Sequence, residues 1–368
     1  MRVLVVAAPL VGHLTPLLPL AGALRVAGHE VLVATGGDAA GVDTGGIPVQ
    51  DVTGPLSFGR AIALPAMLGR PRAAVREIAG RAGTDMVGEL FGRVAVRMAS
   101  PVLALARRWR PAVVLFESLA AAGPIAAQAL GVAAVLQESN LWDGRELLAA
   151  TLAHRGLHRH GAGDAATWPM EVVTIAPPSL VGPRAGRPMR AVPDSGAGEL
   201  PDWLAVRGDR PRVLVSRSTV GGPGGDPTAA VLAAARRVDA EFVLVRGPQR
   251  RSLPDNVRSV GWIPLDRAMA RADALVHHGG AGGLLQALAA GIPQLVVPGP
   301  GDRRHNAELV DRRGAGLAVP ARRITADVLD GLVSDPALRR AAHEVRDELA
   351  AMPAPADLVP VLEDAAGC

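Results

Sequence analysis

Short apolar runs recur along the chain and alternate with longer stretches in which apolar residues have helical spacing. The first run, residues 2–8 (RVLVVAA), has no alternation of polar and apolar positions, which is typical of a parallel strand buried on both faces. Further strands are predicted at residues 31–35, 112–116, 133–137, 212–216, 242–246, 257–260, 274–276 and 294–297. Helices are predicted at about 17–24, 84–108, 120–130, 227–237, 325–333 and 337–351. This order predicts an α/β fold with doubly wound parallel sheets.

The chain is too long for one ordinary core, so two domains are expected for its 368 residues. Between about 176 and 200, proline and glycine displace the periodicity, which marks an interdomain linker. We therefore predict an N-terminal Rossmann-like domain at 1–190, a C-terminal Rossmann-like domain at 200–350, and an amphipathic terminal segment at 351–368.

Polar residues that directly follow predicted strands are the candidates for chemistry. Ligands of doubly wound sheets bind beyond the carboxyl ends of the strands. This rule places His13, Glu117, Thr219 and His278 on the walls of one cleft between the two domains.

Composition excludes several classes of function. The chain has no lysine, so it has neither the lysine of a Walker A loop nor the Schiff-base lysine of a pyridoxal enzyme. Its single cysteine, Cys368, excludes internal disulfides and thiolate zinc sites. The arginines are spread evenly, which argues against a nucleic-acid interface. No apolar run is long enough to span a membrane, and no signal peptide is evident, so a cytoplasmic protein is expected.

The stretch 273–307 is the most informative part of the chain. A strand leads into His277, His278 and a glycine cluster, and a helix follows. Such a turn binds anions, because glycines let a phosphate approach the backbone and the helix N-terminus presents free N–H groups. A second polar cluster (Asp302, Arg303, His305 and Asn306) follows the next strand. Together they suggest a nucleotide-sugar site; a glycine turn used only for close packing is the alternative.

The arrangement resembles the donor half of GT-B glycosyltransferases, specifically the actinomycete natural-product enzymes that transfer deoxysugars in aromatic polyketide pathways, such as those of the angucyclines landomycin and urdamycin. Gly283 stands where that family usually has Thr or Ser, and Arg303 where it usually has Gln. The resemblance implies two Rossmann-like domains facing a cleft, with the C-terminal helix crossing back onto the N-terminal domain. It implies nucleotide and phosphate contacts from Ser218, Thr219, Trp262, Ile263, Leu265, His278, Gly279, Gly280, Ala281, Gly282 and Gly283, and sugar contacts from Asp302 and Arg303.

His13 lies in the sequence PLVGHLTP, which resembles the G-H-x-x-P context of the family's catalytic base. Imidazole suits a base at neutral pH. Glu117 is the candidate carboxylate that orients it, although an acid favoured by a helix N-terminus is nearly as good an interpretation. Acceptor contacts are predicted from Phe58, Ile62, Leu64, Met67 and Trp142, with ordinary core packing as the alternative.

The predicted activity is inverting, metal-independent transfer of a deoxysugar such as olivose from a dTDP-sugar co-substrate, without another cofactor, to a hydroxyl of an aromatic polyketide aglycone in antibiotic biosynthesis. Alternatives are a GT-B sugar-nucleotide epimerase and a partner protein that has lost donor binding. An NAD-dependent dehydrogenase is disfavoured because none of the glycine clusters has the G-x-G-x-x-G spacing.

Overall fold

Two fully parallel sheets organise the computed structural model, which describes residues 1–163, 168–193, 198–218, 226–247 and 253–367. Thr219 and Cys368, both singled out from the sequence, lie outside these residues. The first sheet has seven strands in the order β3-β2-β1-β4-β5-β6-β7, and the second has six in the order β10-β9-β8-β11-β12-β13. The prediction of a doubly wound α/β fold is therefore confirmed.

The chain enters the first sheet at an interior strand, β1, which pairs in parallel with β2 on one side and β4 on the other. Its strands are β1 (Arg2–Val6), β2 (Glu30–Thr35), β3 (Val49–Asp51), β4 (Val113–Glu117), β5 (Ala133–Gln137), β6 (Glu171–Thr174) and β7 (Arg187–Pro188). Val3 and Val5 pack into the core on one face, while Leu4 and Val6 pack into the core on the other. Because both faces are covered, the strand is apolar throughout rather than alternating.

The helices of the first domain cover both faces of this sheet. They are α1 (Val11–Leu14), α2 (Leu18–Val26), α3 (Leu64–Gly69), α4 (Pro71–Ile78), α5 (Asp85–Trp109), α6 (Ala122–Leu130), α7 (Gly144–Leu152) and α8 (Pro178–Val181), with a π-helical turn at Phe58–Ala63. Short 3₁₀ segments lie at Thr15–Leu17, Gly37–Gly41 and Arg155–His160. The longest helix, α5, contains Pro101 and matches the amphipathic stretch predicted at 84–108.

The second sheet repeats the same topology. Its strands are β8 (Arg212–Ser216), β9 (Glu241–Val245), β10 (Val257–Val260), β11 (Ala274–His277), β12 (Gln294–Val296) and β13 (Gly316–Ala318). The associated helices are α9 (Asp202–Ala205), α10 (Thr228–Ala234), α11 (Leu265–Met269), α12 (Ala281–Ala290), α13 (Arg303–Arg313), α14 (Ala326–Ser334), α15 (Pro336–Ala351) and α16 (Val359–Ala365), with 3₁₀ segments at Ala235–Arg237, Ala321–Arg323 and Pro355–Leu358.

The terminal helix returns to the first domain. Leu358, Val359 and Leu362 share a hydrophobic core with Leu20 and Leu24 of α2. Nε2 of His29 also lies 3.0 Å from Oε1 of Glu363. The expectation that a C-terminal helix crosses back onto the N-terminal domain is thus confirmed.

Several short elements were not predicted. Four of them are strands of two to four residues each, namely β3, β6, β7 and β13. Segments this short do not show a recognisable spacing of apolar positions. The stretch 176–200, predicted to be a linker without periodicity, contains α8 and the edge strand β7. β7 pairs only with β6, and its two residues, Arg187 and Pro188, are too few to show a strand pattern among the prolines and glycines of this stretch.

Candidate active site

His13 and Glu117 meet at the carboxyl edge of the first sheet. His13 lies on α1, in the loop region after β1, and Glu117 is the last residue of β4, which pairs directly with β1. Nδ1 of His13 is 3.3 Å from Oε2 of Glu117, an ion-pair distance without the alignment of a good hydrogen bond. The two groups predicted to act together are therefore adjacent.

Glu117 is fully buried, and its carboxylate is held by three other donors. Oε1 accepts a hydrogen bond from the backbone N–H of Ala8 at 3.2 Å, and Oε2 accepts from the N–H of Leu119 at 2.9 Å. The hydroxyl of Ser139 donates to Oε2 at 3.3 Å. A carboxylate fixed in this way keeps the imidazole in one orientation.

The environment of His13 favours its protonated form. Burial by itself lowers the pKa of this imidazole, but the negative charge of Glu117 and a smaller effect of Asp302 raise the pKa above its usual value of 6.5. With Nδ1 directed at Glu117, Nε2 is the ring nitrogen left to accept a proton. The ring of His13 also lies 5.0 Å from the ring of Phe91.

The glycine turn, residues 279–283, connects β11 to α12 in the second domain. Gly279 has a φ of +87°, and a Cβ there would lie 3.0 Å from the carbonyl oxygen of Arg303. Gly280 precedes the first residue of α12, Ala281, and no side chain caps the free N–H groups of this helix. A Cβ on Gly283 would lie 3.6 Å from Nδ1 of His277, and one on Gly282 would meet nothing within 4 Å. The turn thus presents open backbone donors, as an anion site requires.

Both histidines before the turn favour the neutral form. Burial lowers the pKa of His277 to about 4, and its Nε2 lies 2.9 Å from Oε1 of Gln294. Burial, together with the charges of His277, Arg303 and Arg246, lowers the pKa of His278 to about 3. Nδ1 of His278 is buried without a hydrogen-bond partner among the described residues.

The second polar cluster lies at the N-terminus of α13, beside the glycine turn. The amide of Asn306 donates to the carbonyl oxygen of Gly279 and to Oδ2 of Asp302, both at 2.9 Å. Burial raises the pKa of Asp302 above its usual value. Arg303 does not lie alongside Asp302 as a paired group; its Nη2 instead donates to Oγ of Ser218 at 3.0 Å.

Three of the predicted nucleotide contacts, Trp262, Ile263 and Leu265, follow β10 and are called the nucleotide clamp below. Trp262 is 66% exposed and is therefore not a core residue. The guanidinium of Arg246 lies 5.4 Å from the centre of the indole ring. Ile263 is buried, and Leu265 is the first residue of α11. An exposed indole at the edge of a sheet leaves a flat face free for an aromatic base.

The five predicted acceptor residues do not form one surface. Phe58 and Trp142 pack against the cluster that contains Phe91, and the Phe58 and Phe91 rings are 5.7 Å apart. Ile62 is buried in the sheet core, and Met67, on α3, packs against a separate small cluster that contains Ala74 of α4 and Met86 of α5. Leu64 is 54% exposed. The structure therefore brings Phe58 and Trp142 towards His13 and leaves the other three apart.

The two domains touch around the N-terminus of α13. The Trp142 and His305 rings are 4.3 Å apart. Oε1 of Glu77, on α4, accepts a hydrogen bond from the N–H of Gly301 at 2.8 Å. These contacts hold elements of the first domain against the loop that carries Asp302.

The sequence analysis missed Phe91 and Arg246, and it named His305 in the second polar cluster without assigning it a partner. Phe91 lies within the periodic helix α5, where an aromatic residue is normally interpreted as part of the core. Arg246 was included in the strand predicted at 242–246, whereas in the structure it directly follows β9, as His278 directly follows β11. His305 gains its partner only through the meeting of the domains, which no local pattern encodes.

Among the described residues there is no group of three or more His, Cys, Asp or Glu side chains placed to hold a metal ion. None of the helices in the described part of the chain is both long and apolar enough to cross a membrane.

Comparison with known proteins gives concordant matches over nearly the whole chain. Family models described as "Erythromycin biosynthesis protein CIII-like" match residues 22–218 (N-terminal domain) and 229–365 (C-terminal domain). Elloramycin glycosyltransferase of Streptomyces olivaceus is 37% identical, over 100% of this chain and 98% of the relative. Aclacinomycin-T 2-deoxy-L-fucose transferase of Streptomyces galilaeus is 30% identical, over 95% of this chain and 93% of the relative. The glycosyltransferase SsfS6 of Streptomyces sp. SF2575, complexed with thymidine diphosphate, superposes with a TM-score of 0.83 at 29% identity, over 99% of both chains.

Proposed function

This chain belongs to the erythromycin biosynthesis protein CIII-like family of GT-B glycosyltransferases, and we propose that it transfers a deoxysugar from a dTDP-sugar to a hydroxyl of an aromatic polyketide aglycone. We propose further that transfer inverts the anomeric carbon and proceeds without a metal ion. The observation that carries the proposal is the pairing of His13 with the buried carboxylate of Glu117 at one sheet, with the glycine turn at the other.

In the proposed reaction His13 removes the proton of the acceptor hydroxyl at Nε2. The acceptor oxygen forms a bond to the anomeric carbon as the bond from that carbon to the diphosphate oxygen breaks, and dTDP leaves. The imidazolium that forms is stabilised by Glu117, 3.3 Å from Nδ1. Attack from the face opposite the leaving group gives inversion.

The donor assignment is supported from two directions. SsfS6, which is similar along its whole length, is complexed with thymidine diphosphate. In this chain the open N-terminus of α12 is placed for the phosphates, and the exposed face of Trp262 for stacking on the thymine. We assign the donor to the domain of residues 200–350 and the acceptor to that of residues 1–190, with residues 351–368 joining them.

The acceptor assignment is supported by the apolar wall beside His13. Phe58, Phe91 and Trp142 belong to one cluster at the mouth of the cleft, and their flat rings suit a polycyclic aromatic aglycone. The related transferases act, by their names, on elloramycin and on aclacinomycin T with 2-deoxy-L-fucose. An angucycline aglycone and a 2,6-dideoxysugar such as olivose are our specific proposal.

Thermal unfolding with dTDP, UDP, NAD or no ligand tests the donor assignment. A nucleotide at about 100 times its Kd stabilises the folded state by about 2.7 kcal/mol. We expect dTDP to raise the Tm in EDTA, with little effect of UDP or NAD. A shift with NAD alone would overturn the assignment, and no shift with any nucleotide would favour a partner protein that has lost donor binding.

A further inference from the structure

The glycine turn needs more positive charge than its own residues provide. A nucleoside diphosphate carries at least two negative charges, and the N-terminus of a helix supplies about half of one positive charge. The low pKa values of His277 and His278 leave both imidazoles neutral at pH 7. The chain has no lysine to replace them. Arginine side chains are therefore the remaining source of positive charge near the turn.

Arg303 lies across the glycine turn. It begins α13, which follows β12, whereas its hydrogen-bond partner Ser218 follows β8. In the sheet, β11 lies between β8 and β12, so the guanidinium passes over the end of β11, where the turn begins. The backbone of Arg303 also packs against Gly279, within 3.0 Å of the Cβ position.

Arg246 approaches the turn from the side of the nucleotide clamp. It follows β9 with a φ of +56°, an uncommon conformation for a residue with a side chain. Its guanidinium lies 5.4 Å from the Trp262 ring centre and donates a hydrogen bond to the carbonyl oxygen of Arg217. The positive charge of Arg246 also helps to lower the pKa of His278. Arg246 therefore lies between the nucleotide clamp and the glycine turn.

Neither arginine forms a direct ion pair with a carboxylate of the described residues. Arg217 pairs with Asp226 at 2.9 Å, whereas no Asp or Glu side chain of the described residues lies within 4.0 Å of the charged nitrogens of Arg303 or Arg246. Burial lowers the pKa of Arg303 although the charge of Asp302 opposes this effect, and burial together with Arg217 lowers the pKa of Arg246. Two partly buried cations without an anion at contact distance are costly, and a bound diphosphate would offset that cost.

We infer, on the basis of the function proposed above, that Arg303 and Arg246 bind the diphosphate of the donor and stabilise the charge of dTDP as it leaves. This moves Arg303 from the sugar contacts assigned by resemblance to the leaving group. In the bound state the Arg303 guanidinium exchanges the Ser218 hydroxyl for a phosphate oxygen. Asp302, which accepts a hydrogen bond from the amide of Asn306, remains the candidate residue for binding the sugar hydroxyls.

Calorimetric titration with thymidine, dTMP and dTDP, none of which carries the sugar, tests this inference. For Arg303→Gln we expect dTDP affinity to fall about 10- to 100-fold, the loss of one or two charge-assisted hydrogen bonds, while thymidine affinity stays within twofold. Arg246→Gln should reduce the ratio of dTDP to thymidine affinity at least fivefold. Arg340→Gln, at an exposed position on α15, is the matched control and should change neither affinity.

Arg303→Lys separates the effect of the positive charge from the effect of the guanidinium geometry. Lysine keeps the cation but lacks the planar set of N–H donors, so this variant should recover part of the dTDP affinity that Arg303→Gln loses. Unchanged dTDP binding in both glutamine variants, with normal binding by the wild type, would overturn the inference and leave the proposed function standing. Failure of the wild type to bind dTDP at all would instead overturn the proposed function, and the inference with it.

Discussion

Replacing Glu117 with glutamine should lower the pKa of His13, because the substitution keeps the side-chain shape and removes the negative charge 3.3 Å from Nδ1. At an effective dielectric constant of about 20, charges at this distance attract by about 5 kcal/mol. Burial is the largest single influence on the pKa of His13 and lowers it, and only the charge and hydrogen bonding of Glu117, with a smaller effect of Asp302, bring the pKa above 6.5. Without the charge of Glu117 we therefore expect the pKa of His13 to fall below 6.5.

The assay is an NMR titration of the histidine Cε1–H resonances in the free protein. The His13 resonance is identified as the one that is missing from the spectrum of His13→Asn. No substrate is needed, so the result does not depend on the identity of the sugar or the aglycone. Asp302→Asn is the matched control: it should lower the pKa of His13 by less than Glu117→Gln does, because the effect of Asp302 is the smaller one.

The same pair predicts the pH dependence of stability. A folded-state pKa above the unfolded value of about 6.5 means that the pair stabilises the fold fully below pH 6.5 and that this contribution is lost as pH rises through the folded pKa. Urea unfolding of wild type and Glu117→Gln across pH 5–9 measures the difference. A His13 pKa that is unchanged, or higher, in Glu117→Gln would refute the electrostatic reasoning.

Three further predictions concern the turn and the domain core. Gly279→Ala should destabilise the fold by about 1–2 kcal/mol and weaken dTDP binding, because φ is +87° and the new Cβ would press on Arg303; urea unfolding and calorimetry measure the two effects. Gly283→Ala should instead raise the free energy of unfolding, by up to about 1 kcal/mol, since its Cβ has room in the first turn of α12; a decrease would show that the turn is more crowded. Arg184→Met should cost about 3–5 kcal/mol in urea unfolding, because it leaves the buried carboxylate of Glu138 without its partner 3.1 Å away; a loss below 1 kcal/mol would mean that Glu138 is hydrated or protonated.

The sequence predicted the regular parts of the fold and the residues that follow strands. The long apolar runs of β1 and β8 became central strands. His13, Glu117 and the glycine turn could be placed at strand ends because parallel sheets bring those ends to a shared edge. The proximity of His13 to Glu117 follows from the adjacency of β1 and β4, a property of topology rather than of spacing.

What could not be predicted depends on contacts between segments distant in sequence. Four of the five acceptor candidates lie within residues 58–67, yet Ile62, in the π-helical turn, enters the core, and Leu64, the first residue of α3, is exposed. Arg303 was expected beside the sugar, and its bond to Ser218 crosses an intervening strand. Trp142 meets His305 only where the domains touch.

Transfer itself, measured with and without His13, tests the central claim most directly. Wild type and His13→Ala would be incubated in EDTA with a dTDP-2,6-dideoxyhexose and an aromatic polyketide aglycone, and products followed by liquid chromatography and mass spectrometry. We predict one product with the mass of the aglycone plus the sugar less water, one dTDP released per product, and a rate about 10²–10⁴-fold lower in His13→Ala with dTDP affinity unchanged. A loss of less than tenfold in His13→Ala would contradict the account, because the proton would then be taken by another group.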